Sequence, residues 1–330
     1  MRLPGGDDGA RLLGPAGFAA LAVATLLATA PRFPSGVEAG TDSFEGRIVW
    51  ASNRGGNHDI YLLTLGAGTA PPQPEKLTSS PLVDTFPRFS PDGRRILFGR
   101  SREPGVSFRE QAPWDVWVMN ADGSEQRRVA AYGFHAGFGG GSDSIVFSRG
   151  SRIVRLDLVT GQEEELADLG ALLGGQGAEP ELRDGKLAVT VRGGQRAFGL
   201  VELSTMGFRA FPGPGCQLGW VPGEARVVWI EGRGSGGTRV MIGSPDAGSR
   251  EVLIDLPGER SHEYFPRLSR DGRWLAWAAA AHGHEHDTAD YDIFLWRRGT
   301  PWESAQRLAP DAGNDQWPDL LAAAPESPAR

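Results

Sequence analysis

The chain has 330 residues, a formal net charge of −7 at pH 7, 47 glycines, 24 prolines and one cysteine. That charge argues against a general phosphate-backbone binder, so no nucleic acid is expected as a partner. The glycine and proline content excludes long helices, and the lone Cys216 excludes an intramolecular disulfide and any zinc site built on cysteine pairs.

The first element is an uncharged run, AGFAALAVATLLATA, at residues 16–30. It is shorter than the roughly 20 residues a membrane-spanning helix needs. Ala28 and Ala30 give the small-x-small pattern of a signal-peptide cleavage site. Residues 1–45 are therefore read as a signal peptide or an uncleaved membrane anchor followed by a linker. The chain is expected to be exported, periplasmic or extracellular. No cysteine follows the run, so it is not a lipoprotein signal.

Three strands come next: RIVWAS at 47–52, DIYLLTL at 59–65 and EKLT at 75–78. Their apolar residues alternate or run together, as in half-buried and buried strands. DTFPRFSPDGRRILF at 84–98 then opens a pattern that returns as EYFPRLSRDGRWLAW at 263–277. Aligned on its proline, the pattern occurs six times, with Pro87, Ala136, Pro180, Leu218, Pro266 and Pro318 at the marker position, 38 to 52 residues apart. After each of the first five copies come an apolar strand, a second such strand and a short outer strand. DVWVMN at 115–120 and DIFLWR at 292–297 show the middle one most clearly.

A period of about 40–50 residues is that of four-stranded propeller blades. DQWPDLL at 315–321 supplies an inner strand with nothing after it, and the strands at 47–78 lack one, so chain start and chain end make one blade. Closing the ring in this way leaves no open edge. The expected fold is all-β: a six-bladed β-propeller with four-stranded antiparallel blades over residues 46–321. The C-terminal strand joins the N-terminal blade, and residues 322–330 form a disordered tail.

FSPDGRRILF and LSRDGRWLAW, followed by DIYLL or DVWVMNADG and then KLT, resemble TolB-type β-propeller repeats over residues 46–321. TolB-like proteins act as interaction proteins of the cell envelope. The resemblance thus implies a non-enzymatic module binding an envelope protein or a glycan, expected to act as a monomer. Residues 1–45 hold no counterpart of the α/β domain of TolB, so its partners do not carry over. Propellers resembling this one also include oligogalacturonate lyases. The alternative is therefore a metal-assisted polysaccharide lyase or hydrolase using the propeller channel.

Three residues before the aligned proline stand Asp84, Gly133, Gly177, Gly215, Glu263 and Asp315, at the expected channel mouth. The carboxylates of Asp84, Glu263 and Asp315 fall in neighbouring blades. They suit a hard divalent cation such as calcium, or a basic group of a partner; they also read as a plain solvated acidic rim. His282, His284 and His286, with Asp287 and Asp290, stand in the long loop at 281–292. They could bind a transition metal if the loop is extended, since alternate residues then face one side. Otherwise the loop is a flexible polar hairpin. His58 and His262 are expected near the same rim, and His135 as a packed channel residue. No G-x-S-x-G elbow or HExxH pair occurs, Cys216 reads as a small buried residue, and no catalytic residue is assigned.

Overall fold

Short β-branched and aromatic runs bounded by Gly and Asx turns form strands rather than helices. In the computed structural model, which describes residues 43–323 apart from 67–71, 111–112, 195, 234–235, 259, 282 and 311–312, they form six four-stranded antiparallel sheets. The apolar segment at 16–30 and residues 324–330 lie outside the described residues. No helix among the described residues is long and apolar enough to cross a membrane.

Blade 1 runs outward from the channel as Asp84–Phe89, Arg95–Ser101, Trp114–Asn120 and Arg127–Ala130. The inner strands of blades 2 to 5 are Phe134–Phe138, Gln176–Arg183, Gly215–Trp220 and His262–Leu268. Blade 6 is the split one. Its inner strand, Asp315–Ala322, pairs with Gly46–Ser52, placing Leu320 opposite Ile48 and Asp315 opposite Ser52. Asp59–Leu65 and Glu75–Lys76 complete it.

Packing between blades centres on one aligned position of the second strands. Trp50, Phe98, Phe147, Val189, Trp229 and Trp277 stand there, each no more than 2% exposed. The inner strands begin on one face (the start face), which also carries the loops between second and third strands. They finish on the opposite, end face, at the tight turns that carried the repeat signal. In two of these turns Asp92 and Asp271 accept the main-chain N–H two residues on at 3.1 Å, and Gly93 and Gly272 take φ of 70° and 68°. Such backbone favours glycine, which explains the Asp-Gly pairs.

Candidate functional site

One residue per blade breaks the inner ladder. Around the residue before the aligned proline, the pairing of inner and second strands shifts register in all six blades. There Phe86, His135, Glu179, Gln217, Phe265 and Trp317 all take left-handed φ, between 51° and 58°. That backbone costs a non-glycine residue about 1–2 kcal/mol, and a bulge re-aims the side chain it carries. Here the six side chains meet in the channel. Phe265, Trp317 and Phe86, from blades 5, 6 and 1, pack in sequence with ring centroids 4.7 and 4.1 Å apart. His135 of blade 2 continues the series against Phe86 at 4.4 Å. On the other side of Phe265, Gln217 of the neighbouring blade 4 accepts the Phe265 N–H at 2.7 Å.

The ring is half aromatic and half polar, and the polar half is under-satisfied. Both His135 ring nitrogens, Glu179 Oε2 and Gln217 Nε2 are buried without a hydrogen-bond partner. Burial drives His135 well below the usual histidine range and raises the Glu179 carboxyl, against which Arg192 acts from 3.4 Å.

Two residues further along each strand lies a second layer: Arg88, Gly137, Glu181, Gly219, Arg267 and Asp319. Arg267 of blade 5 pairs with Glu181 of blade 3, past the side-chain-free Gly219 of blade 4. Trp220 N–H donates to Glu181 Oε2 at 2.8 Å, and Phe89 N–H to Asp319 Oδ2 at 2.7 Å. From this layer a cavity of about 410 Å³ reaches the end face, walled by Phe86, Phe89, Phe138 and Trp220. At its mouth Arg270, from the blade 5 turn, donates to the main-chain carbonyls of Ser90 and Pro91 in the blade 1 turn.

The start face is arranged differently from the expected acidic mouth. Asp84, Glu263 and Asp315 do begin the inner strands of their blades, but all three are buried, not solvated. Arg100 grips Asp84 with two 2.7 Å hydrogen bonds, and Arg54 reaches Asp315 at 2.6 Å. Among the described residues Glu263 forms no ion pair; its Oε1 accepts the Leu256 N–H at 2.6 Å and its main-chain carbonyl the Thr238 hydroxyl. The matching glycines are packing requirements. A Cβ on Gly133, Gly177 or Gly215 would come within 2.6, 2.6 or 2.5 Å of Phe147, Ile153 or Phe198.

The long loops fold inward. Phe108, from the loop at 101–114, packs on Trp317 at 4.4 Å, while Ser107 Oγ and the Phe108 N–H donate to Asp287 at 2.7 and 3.1 Å. His286 sits in a turn against Tyr264 and Phe265, both at 5.1 Å, and burial lowers it to about 3. His284 lies instead beside His262 at 6.2 Å. The turn sends alternate histidines to different neighbours, which an extended loop would not. His282 lies outside the described residues. His58 packs on Phe108 at 4.7 Å, and burial lowers it to about 4. Among the described residues no group of three or more His, Cys, Asp or Glu is placed to hold a metal ion. Burial pushes the Cys216 thiol up to about 12, which suits a packed residue and not a nucleophile.

Burial also raises the Glu263 carboxyl to about 8, from an unfolded value near 4.5. Stability from its neutral form is fully present below pH 4.5 and is lost as pH rises through 8. Glu263→Gln keeps an acceptor for the Leu256 N–H and offers a donor to Thr238 Oγ1. It is expected to stabilise the protein at pH 8.5 by on the order of 3 kcal/mol and to change little at pH 4.5. Urea unfolding at the two pH values checks this; equal effects at both would contradict it.

No family model matches the chain, and no curated protein does. Solved structures do. TolB from Acinetobacter baumannii superposes with a TM-score of 0.60 at 15% identity, covering 84% of this chain and 67% of that one. Hydrazine synthase of Kuenenia stuttgartiensis gives 0.59 at 15% identity, over 85% of this chain and 47% of that one. A chain of a nidogen–laminin complex gives 0.56 at 13% identity, over 84% and 98%. The likeness is one of fold. This chain spans about half the length of the hydrazine synthase chain it matches.

Proposed function

We propose that the chain is a non-enzymatic binding module of the cell envelope, and that its ligand enters the end-face cavity. The cavity carries the reading: about 410 Å³ of space bounded by aromatic rings, with charged groups converging at its inner end. Such concave sites, mostly apolar with a few placed polar groups, are where small ligands bind. Three of the six left-handed residues, Phe86, His135 and Glu179, line it and support the reading, since backbone strain of this kind persists where side-chain placement matters. The apolar run at 16–30 and the TolB-like repeats support the envelope assignment.

Gly137 provides the test. It lines the cavity, and a Cβ there meets only the Pro180 carbonyl oxygen, at 3.7 Å. Gly137→Phe is expected to fill the cavity while leaving the melting temperature within a few degrees of the parent. Native mass spectrometry of full-length protein after exposure to envelope extract should then show a bound species on the parent and none on Gly137→Phe. A species retained by the filled variant, or no species on either, overturns the reading.

A further inference from the structure

Among the described residues Arg88 is the only arginine or lysine that is buried, at 9% exposure. Its hydrogen bond runs to the neighbouring Pro87 carbonyl, at 2.8 Å, and among the described residues no carboxylate stands within ion-pair distance of it. Asp319 and Glu179 act on it only from further off. The other charges around it are in use elsewhere, although Glu179 Oε2 has no hydrogen-bond partner. Glu181 holds Arg267, Arg192 lies on Glu179, and Asp319 takes the Phe89 N–H. A buried guanidinium outside any direct ion pair is unfavourable, and Asp319 and Glu179 offset that only from a distance, so a direct partner entering from solvent would relieve it.

Arg88 lines the cavity, so the missing partner can reach it from the end face. The cavity lining holds four arginines, Arg88, Arg183, Arg267 and Arg270, against three carboxylates, Glu179, Glu181 and Asp319, an excess of one positive charge. One negative charge on the ligand balances that excess; a phosphate dianion overshoots it. The planar fork of the guanidinium matches a carboxylate. Phe86, Phe89, Phe138 and Trp220 then offer rings to an apolar body attached to it.

We infer that the cavity binds a small organic acid, its carboxylate on Arg88 and its apolar part against the aromatic wall. This rests on the reading of the cavity as the binding site. The test uses full-length protein with hexanoate, phenylacetate and indole-3-acetate, each beside its amide, and with inorganic phosphate, followed by calorimetry and thermal melting. At least one acid should bind and raise the melting temperature while its amide does not. Arg88→Met should raise the ligand-free melting temperature by several degrees, because an unpaired buried charge is replaced by an apolar chain. It should weaken the acid by at least about 30-fold.

Equal binding of acid and amide, binding of phosphate alone, or no binding of any acid overturns the inference. So does an Arg88→Met variant that melts lower, as loss of a structural arginine would make it. If Gly137→Phe removes binding and Arg88→Met does not, the cavity is still a binding site and only the carboxylate assignment falls. If neither variant changes binding, both readings fall.

Discussion

Deleting residues 311–330 is expected to abolish cooperative folding. The deletion removes the inner strand Asp315–Ala322, leaving Gly46–Ser52 with an unpaired edge on the channel side. It also removes Trp317, 1% exposed, whose ring touches Phe86, Phe108 and Phe265 from blades 1 and 5. Trp317→Ala alone should cost about 3–5 kcal/mol. Against a total stability of about 5–15 kcal/mol, that is between a fifth and all of the margin. The truncation should therefore lose its sharp thermal transition by circular dichroism, and Trp317→Ala should keep a transition at a clearly lower midpoint. A truncated chain that melts like the full-length protein would remove closure as the source of stability.

That closure was readable because the chain repeats itself. A sixth proline motif without strands after it, and strands at 47–78 without a motif before them, admit one arrangement. The alignment also placed Asp84, Glu263 and Asp315 correctly at the start of the inner strands. It did not reveal their partners. Arg54 lies 261 positions from Asp315 and follows no motif that links the two.

The left-handed residues were harder still. Phe86, His135, Glu179, Gln217, Phe265 and Trp317 occupy one alignment column, yet of these only histidine is a residue type enriched in left-handed backbone. Their conformation comes from the bulge, a property of the ladder and not of the residue. The same limit hid the face with the aromatic-walled cavity. Long polar loops with histidines drew attention to the start face, where Phe108 and His286 turn inward and pack on the aromatic half of the ring. The aromatic-walled cavity lies at the other face, beneath turns whose sequence spoke only of turn chemistry, while the start face carries a shallower depression of about 650 Å³ beside Arg109, Gln176 and Arg192.

Three histidines set a second large effect, on acid stability: His58 and His135 are buried, and His286 is half-buried among rings. Burial lowers His58 to about 4 and His286 to about 3, and holds His135 well below the ordinary value of 6.5. Around them are mostly rings: Phe108 at His58, Phe86 and Phe134 at His135, and Tyr264, Phe265 and Trp317 at His286. Charges reach them from other elements: Asp287 favours protonation of His58, Arg192 and Arg88 oppose it at His135, and Arg192 and Arg109 oppose it at His286. The folded protein therefore keeps all three neutral as pH falls through 6.5, while the unfolded chain takes up a proton at each. Stability is present above pH 6.5 and is lost toward pH 4, by on the order of 2 kcal/mol per histidine at pH 4.5. The urea midpoint should thus fall steeply between pH 6.5 and 4.5, with close to three protons taken up on unfolding at the lower end from these sites. His286→Phe leaves an apolar ring among Tyr264, Phe265 and Trp317 and should lower that uptake by about one proton. It should also gain on the parent as the pH drops. A variant whose midpoint tracks the parent in parallel from pH 6.5 to 4.5 would show that His286 titrates alike in both states, and the burial account of its neutrality would fall with it.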